Sequence, residues 1–218
     1  MKYMMLGLTL FLLVTSSWAG TFMDDFEDGD MDEWASVSTG AGGNWKIENG
    51  ELILQSKSPG DFIVYTGKDI WKDYTIKVNL KLSKDSSGHA SFRITGIGLY
   101  SAGFEGLGTS RQFGSYYFSF VKDASHYETV PFDWEPDTWY VLKAVIEGDH
   151  FKYYVNDELV MEYTDSSNPT GAVGLIVSGA STTHFDNFVV TGDDIPGNVT
   201  AFSPKAKFAV TWGQMKGH

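Results

Sequence analysis

The chain has 218 residues, a formal net charge of −12 and no cysteine. The acidic balance argues against nucleic acid or an anionic membrane surface as a partner, because both carry the same sign of charge. The missing cysteine excludes disulfides and thiolate metal sites. Aromatic residues make up 15% of the chain. That content suits a large β-sheet core and also sugar stacking, so it does not decide between them.

The first 19 residues predict a signal peptide. Lys2 precedes an apolar run over residues 4–14, and Ser17-Trp18-Ala19 places small residues where a signal peptidase cleaves. We expect cleavage after Ala19. No later stretch approaches the roughly 20 apolar residues that a membrane helix needs. The sequence therefore predicts an exported protein, periplasmic or extracellular, without a membrane span.

Strand signals dominate from residue 45 to residue 190, without helical periodicity. Asn49-Gly50 lies between two short apolar runs and predicts a two-residue β-hairpin. Residues 74–82 alternate apolar and polar side chains, as a half-buried strand does. Asn156-Asp157 and Gly148-Asp149 predict further tight turns. Further strands are predicted over residues 89–94, 116–121, 139–147, 151–155, 159–163 and 172–177.

These short strands, with turns between them and no crossover helices, predict an all-β fold, an antiparallel β-sandwich of jelly-roll type. The domain is expected to span residues 20–192, followed by a linker and short C-terminal tail over residues 193–218. The glycine-rich segment 101–113 interrupts the strand pattern. It is interpreted either as a flexible loop that covers a ligand or as a plain surface excursion.

Acidic residues stand at both ends of the predicted domain. Asp24, Asp25 and Glu27 lie at its start, and Asp186 lies near its end. If the first and last strands pair, Asp24 or Asp25 meets Asp186, and two carboxylates about 4 Å apart repel by roughly 4 kcal/mol at an effective dielectric near 20. A structural calcium would relieve that repulsion, with Asp24 or Asp25, Glu27 and Asp186 as carboxylate ligands and backbone carbonyls completing the shell. The alternative is that the acids are solvated or cap turns.

Several short motifs together resemble the concanavalin A-like lectin/glucanase superfamily. They are similar in particular to laminin-G-like modules and to the 3-keto-disaccharide hydrolase (family 16-like) domains of secreted bacterial proteins. The motifs cover residues 24–29 with Trp34, then 43–52, Phe92-Arg93, Trp139-Tyr140, 154–157 and 185–187. The resemblance implies two packed antiparallel sheets, one of them concave and facing a sugar, and often a calcium near the chain ends.

The Glu-x-Asp-x-x-Glu strand of the glucanases in this superfamily is missing, so paired-carboxylate glycosidase chemistry is not expected. No catalytic residue is assigned. Candidate ligand-binding residues are those that could stack on or hydrogen-bond to a sugar in a concave sheet. They are Arg93, Tyr100, Arg111, Tyr117 and Lys143. The alternative places the cations on a solvated face and the aromatic rings in the core.

Three functions remain open from the sequence. The first is an exported carbohydrate-binding or adhesion-type module with a structural calcium. The second is a hydrolase or lyase acting on glycosides, in which Arg93 and Lys143 would hold the sugar. The third is a structural domain whose partner is a protein. An acid with a raised pKa in the cleft would favour the enzyme, and aromatic rings without such an acid would favour the binding module.

Overall fold

The structure, a computed structural model, describes residues 19–38, 42–68, 70–84, 86–95, 98–105, 117–122, 126–196 and 199–201. In these ranges the chain forms two β-sheets, which confirms the predicted all-β sandwich. No helix in the described ranges is long and apolar enough to cross a membrane. The strands are β1 (Gly20–Asp24), β2 (Ala35–Ser38), β3 (Asn44–Glu48), β4 (Glu51–Gln55), β5 (Asp61–Thr66), β6 (Tyr74–Leu82), β7 (Ser87–Thr95), β8 (Gly98–Glu105), β9 (Tyr117–Lys122), β10 (His126–Pro131), β11 (Trp139–Glu147), β12 (His150–Val155), β13 (Glu158–Thr164), β14 (Ala172–Ser178), β15 (Thr182–Gly192) and β16 (Val199–Ala201).

The first sheet has nine strands in the order β13-β12-β11-β6-β15-β1-β16, with β4 also paired to β15 and β3 paired to β4. β1 runs antiparallel to β15, with Asp24 opposite Phe188, so the expected pairing of the first and last strands of the domain is confirmed. Beyond β1, the short strand β16 adds a parallel edge. The region expected to be only linker and tail thus contributes a strand to the sheet.

The second sheet has seven antiparallel strands in the order β10-β9-β8-β7-β14-β5-β2. β8 continues to Glu105, so residues 101–105 of the segment expected to be a glycine-rich loop are strand. The rest of that segment, residues 106–113, lies outside the described residues. Strands β2, β5, β8, β10 and β16 are additions to the predicted set.

The core lies between the two sheets, and β6 contributes to it by strict alternation. In β6 the side chains of residues 74, 76, 78, 80 and 82 are buried, whereas Lys77 between them is exposed. Large rings fill the space between the sheets, and each contributes roughly 1.5–3 kcal/mol of apolar burial. The largest fully buried side chains are Tyr153, Phe26, Phe62, Phe151, Phe185 and Phe188.

Two of the predicted tight turns have the backbone that their sequences require. Asn49 and Gly50 have φ values of 56° and 70°, and Asn156 and Asp157 have 50° and 66°. Positive φ at both central residues is the mark of the type I′ hairpin, whose twist matches that of the flanking strands. Both hairpin predictions are confirmed.

Candidate functional site

The seven-stranded sheet is sheltered on the face that points away from the core. All residues of β14 from Ala172 to Val177 are buried. In the central strand of the other sheet, β6, the residues that point outward are half-buried or exposed. A strand in a two-layer sandwich normally buries one face only. The outer face of the seven-stranded sheet is therefore shielded from solvent where β14 runs.

This shielded surface is apolar. Ile176 of β14 lies opposite Ile63 of β5, and each is only 7% exposed although neither belongs to the core cluster between the sheets. Ala172 and Gly174 lie on the same face of β14 as Ile176. We call Ile63, Ala172, Gly174 and Ile176 the β5–β14 floor.

Polar groups flank the floor. At one end, the hydroxyl of Ser178 donates a hydrogen bond to Oδ1 of Asp61 over 2.7 Å. The half-buried Tyr65 lies opposite Gly174 in the neighbouring strand. The arrangement offers an apolar surface with a carboxylate, a hydroxyl and a phenol beside it. β5 is not among the predicted strands, although its run Phe62-Ile63-Val64-Tyr65-Thr66 has the aromatic and β-branched composition of a strand.

Three of the predicted ligand-binding residues lie in the same sheet as the floor. Arg93 is in β7, Tyr100 in β8 and Tyr117 in β9. β7 pairs directly with β14, and β8 and β9 follow in order. The three residues therefore lie one, two and three strands away from β14. Arg111 lies outside the described residues. A ligand-binding role for these four residues stays a prediction.

Lys143 lies on the other sheet and does not join them. It is in β11, where its Nζ lies 2.7 Å from Oδ1 of Asp157 and 4.4 Å from the centroid of the Tyr154 ring. The hydrogen bond and the charge of Lys143 lower the pKa of the Asp157 carboxyl. Since the two outer faces point in opposite directions, Lys143 cannot share a cleft with the floor. A cation within a strand must be paired or face a cleft, and Lys143 is paired.

Among the predicted metal ligands, Asp24 has a structural role of its own. Its side chain is buried at the end of β1, where Oδ1 accepts a hydrogen bond from the backbone N–H of Phe26 and Oδ2 accepts one from the indole N–H of Trp34, both at 2.7 Å. The Trp34 ring packs edge-on against Phe188, with centroids 5.0 Å apart. Asp24 therefore connects the start of the domain to its last long strand through Trp34.

In the described residues, no three of the four predicted ligands come together as a metal-binding group. Asp25 accepts a bond from the backbone N–H of Glu27 at 3.3 Å, and Asp186 lies in register with Asn79 of β6. The charges that act on Asp24 are those of Asp28 and Glu33. In the described ranges there is no group of three or more His, Cys, Asp or Glu side chains that could hold a metal ion. A structural calcium stays a prediction for a chelation experiment.

The buried position of Asp24 predicts a pH dependence of stability. Burial, opposed by the two hydrogen bonds, raises the pKa of Asp24 to about 6. The folded chain then holds a proton at pH values where the unfolded chain, with an ordinary pKa of about 4, has released it. This contribution to stability is fully present below about pH 4 and is lost as the pH rises through 6.

Urea unfolding of the wild type and of Asp24→Asn between pH 4 and 7 measures this effect. The difference in unfolding free energy, wild type minus variant, is expected to decrease as the pH rises, because position 24 of the variant does not titrate. A constant or rising difference would contradict the raised pKa.

The fold and the sequence together identify the class of protein. The architecture is the concanavalin A-like jelly roll that carbohydrate-binding modules and glucanases share. Residues 21–191 match the 3-keto-alpha-glucoside-1,2-lyase-like domain. The chain belongs to that family. No curated protein matches the sequence.

Solved structures show the same fold at low sequence identity. The carbohydrate-binding module CBM66 from Bacillus subtilis is 21% identical, covers 73% of this chain and 95% of its own, and has a TM-score of 0.58. A Bacillus subtilis protein of unknown function with a galectin-like fold has a TM-score of 0.66 at 11% identity, over 78% of this chain and 96% of its own. A Bacillus licheniformis β-glucanase has a TM-score of 0.59 at 15% identity, over 79% and 98%.

Proposed function

We propose that the protein is an exported carbohydrate-binding module that holds a glycan on the β5–β14 floor. The observation that supports this is the burial of β14 on both of its faces. Ligand sites are concave and mostly apolar, with a few polar groups that fix the orientation of the ligand. The floor with Asp61, Ser178 and Tyr65 beside it has this composition. Export is proposed from the predicted signal peptide over residues 1–19.

The apolar floor suits one face of a sugar ring. A pyranose presents C–H groups on its faces and hydroxyls around its rim, so the ring can lie on Ile63 and Ile176 while its rim meets polar groups. A hydroxyl buried against the isoleucines without a partner would cost about 1–3 kcal/mol. The floor therefore selects for ligands that lie flat on it.

Family membership supports a second candidate, a lyase that acts on 3-keto-glucosides. Elimination breaks the C2–H and C1–O bonds and forms a C1=C2 double bond. A base takes the C2 proton, which the ketone at C3 acidifies, and the aglycone leaves from C1 with the glycosidic oxygen, which water protonates to give an alcohol. Asp61 is the one carboxylate on β5 and β14, and its Oδ1 already accepts the hydroxyl of Ser178. Lys143 cannot hold the substrate there because it lies on the opposite sheet. Turnover of a ketoglycoside by the wild type, abolished in Asp61→Asn, would establish the enzyme.

Blocking the floor tests the proposed site. Ile176→Arg places a long side chain over the floor while its charged end reaches solvent. We expect binding of the mature protein to polysaccharides, measured by affinity electrophoresis and calorimetry, to weaken at least tenfold. The matched control is Val145→Arg, a half-buried position on the outer face of the other sheet.

The controls make the outcome decisive. Both variants should melt within a few degrees of the wild type. Binding unchanged in a folded Ile176→Arg protein, or weakened equally by Val145→Arg, would place the site elsewhere. A wild type that neither binds nor converts any saccharide in the panel would favour a structural domain with a protein partner.

A further inference from the structure

The outer face of the nine-stranded sheet carries a second polar cluster, on the side of the molecule opposite to the β5–β14 floor. His184 of β15, Lys81 of β6 and Trp139 of β11 lie side by side across three neighbouring strands, with Lys81 in register with both others. Glu51 of β4 joins them through its side chain. We call these four residues the Glu51–Trp139 cluster.

The side chains of the cluster are held by one another. Oε2 of Glu51 lies 2.7 Å from Nδ1 of His184 and 3.5 Å from Nζ of Lys81. The same ammonium group lies 4.6 Å from the centroid of the Trp139 ring. Because Nδ1 of His184 is engaged by the carboxylate, its other ring nitrogen, Nε2, is the one that can meet a ligand.

The cluster differs from the ordinary ion pairs of the same face in its burial. The side chains of Lys81, Glu51 and His184 are 22%, 23% and 22% exposed. The neighbouring pair of Lys46 and Glu48 is 43% and 54% exposed. Ion pairs at the surface contribute little to stability, and partial burial adds a desolvation cost. Stability alone therefore does not account for this cluster, which makes a role in binding worth testing.

Trp139 gives the cluster an apolar surface. It is 39% exposed, so part of its ring is accessible to a ligand beside the ammonium of Lys81. A ring beside fixed donors and acceptors is the combination that a hydroxylated ring with apolar faces requires. The cluster thus offers the same kind of recognition as the floor, with the Trp139 ring in place of the isoleucines.

The charges narrow the class of ligand. An anionic ligand would meet the carboxylate of Glu51, and a metal cation would meet the ammonium of Lys81. Neutral hydroxyls can donate to Glu51 and accept from Lys81. We propose that the Glu51–Trp139 cluster is a second saccharide-binding surface for neutral glycans. This surface is separate from the β5–β14 floor. The two together would make the module bivalent toward a polysaccharide.

The experiment uses Ile176→Arg as the background, so that the β5–β14 floor does not contribute to saccharide binding. In this protein, calorimetric titration with neutral hexasaccharides of the malto, cello and laminari series is expected to show residual binding. Adding Trp139→Ala should weaken that binding about tenfold, because the stacking surface is removed. Glu51→Gln, which keeps the size of the side chain, should weaken it as well.

Leu159→Ala is the matched control. Leu159 is an exposed apolar residue of the same sheet, in β13, and its replacement should leave the affinity unchanged. The proposal is overturned if Ile176→Arg alone abolishes all saccharide binding, or if residual binding persists unchanged in both Trp139→Ala and Glu51→Gln. If the proposed site on the β5–β14 floor is wrong, the result is different, because Ile176→Arg would then leave saccharide binding at the wild-type level.

Discussion

Replacing Asp24 by alanine is expected to lower the free energy of unfolding by about 3 kcal/mol. The carboxylate is buried and accepts bonds from Phe26 and Trp34, both at 2.7 Å. Its removal leaves two donors in an apolar environment, and each unsatisfied donor costs about 1–3 kcal/mol. Urea unfolding followed by tryptophan fluorescence measures the loss.

Asp25→Ala is the matched control for this change. Asp25 bonds the backbone N–H of Glu27 over a longer distance, 3.3 Å, and is only half-buried, so its loss should cost less than about 1 kcal/mol. Trp34→Phe removes the side-chain donor, and a double-mutant cycle with Asp24→Ala should show a coupling of about 0.5–3 kcal/mol. Equal losses for Asp24→Ala and Asp25→Ala would refute the buried role of Asp24.

The same variant separates the observed role of Asp24 from the calcium hypothesis. If Asp24 acts through Phe26 and Trp34, its replacement costs the same stability with and without a chelator. If it acts as a calcium ligand, the cost disappears once the metal has been removed from the wild type. A wild-type melting temperature that falls on chelation, by contrast, would show that a stabilising metal site exists.

Some of these features follow from local sequence. Asn49-Gly50 and Asn156-Asp157 predict their hairpins because the turn depends on two adjacent residues. The inward direction of the Asp24 side chain could also be predicted from the sequence. Residues two apart in a strand share a face, and Phe22 is a core residue. The hydrogen bond between Asp24 and Trp34 could not be predicted, because it joins residues ten positions apart through a loop.

The assignment of strands to sheets could not be obtained from the sequence. Arg93 and Lys143 both lie in strands with apolar neighbours, and only the pairing partners of β7 and β11 place them on opposite sides of the sandwich. The burial of β14 on both faces had one visible sign in the sequence. The run Ala172-Val173-Gly174-Leu175-Ile176-Val177 is apolar without alternation, which is typical of a strand buried on both faces. The predicted strand there was correct, but its second buried face was not anticipated.

Gly174→Ala is expected to disturb both stability and ligand binding, because β14 approaches β5 too closely for a side chain at this position. A Cβ on residue 174 would lie 2.2 Å from the carbonyl oxygen of Val64 and 2.9 Å from Cα of Tyr65. These are backbone atoms of the paired strand, so no side-chain rotation relieves the contact. We expect a loss of about 3 kcal/mol in the free energy of unfolding, at the upper end of the usual cost of overpacking.

Gly179→Ala separates this crowding from backbone strain. Gly179 has a φ of +73° and no neighbouring atom within 4 Å of a Cβ, so its replacement should cost only the left-handed conformation, about 1–2 kcal/mol. Because Gly174 lies on the β5–β14 floor, the strand shift that relieves its clash also moves Tyr65 and Ile63, and glycan affinity should fall with stability. Gly179→Ala should leave the affinity intact. If Gly174→Ala costs no more stability than Gly179→Ala, the two strands can separate freely; if it binds glycan like the wild type, the floor is not where the sugar lies.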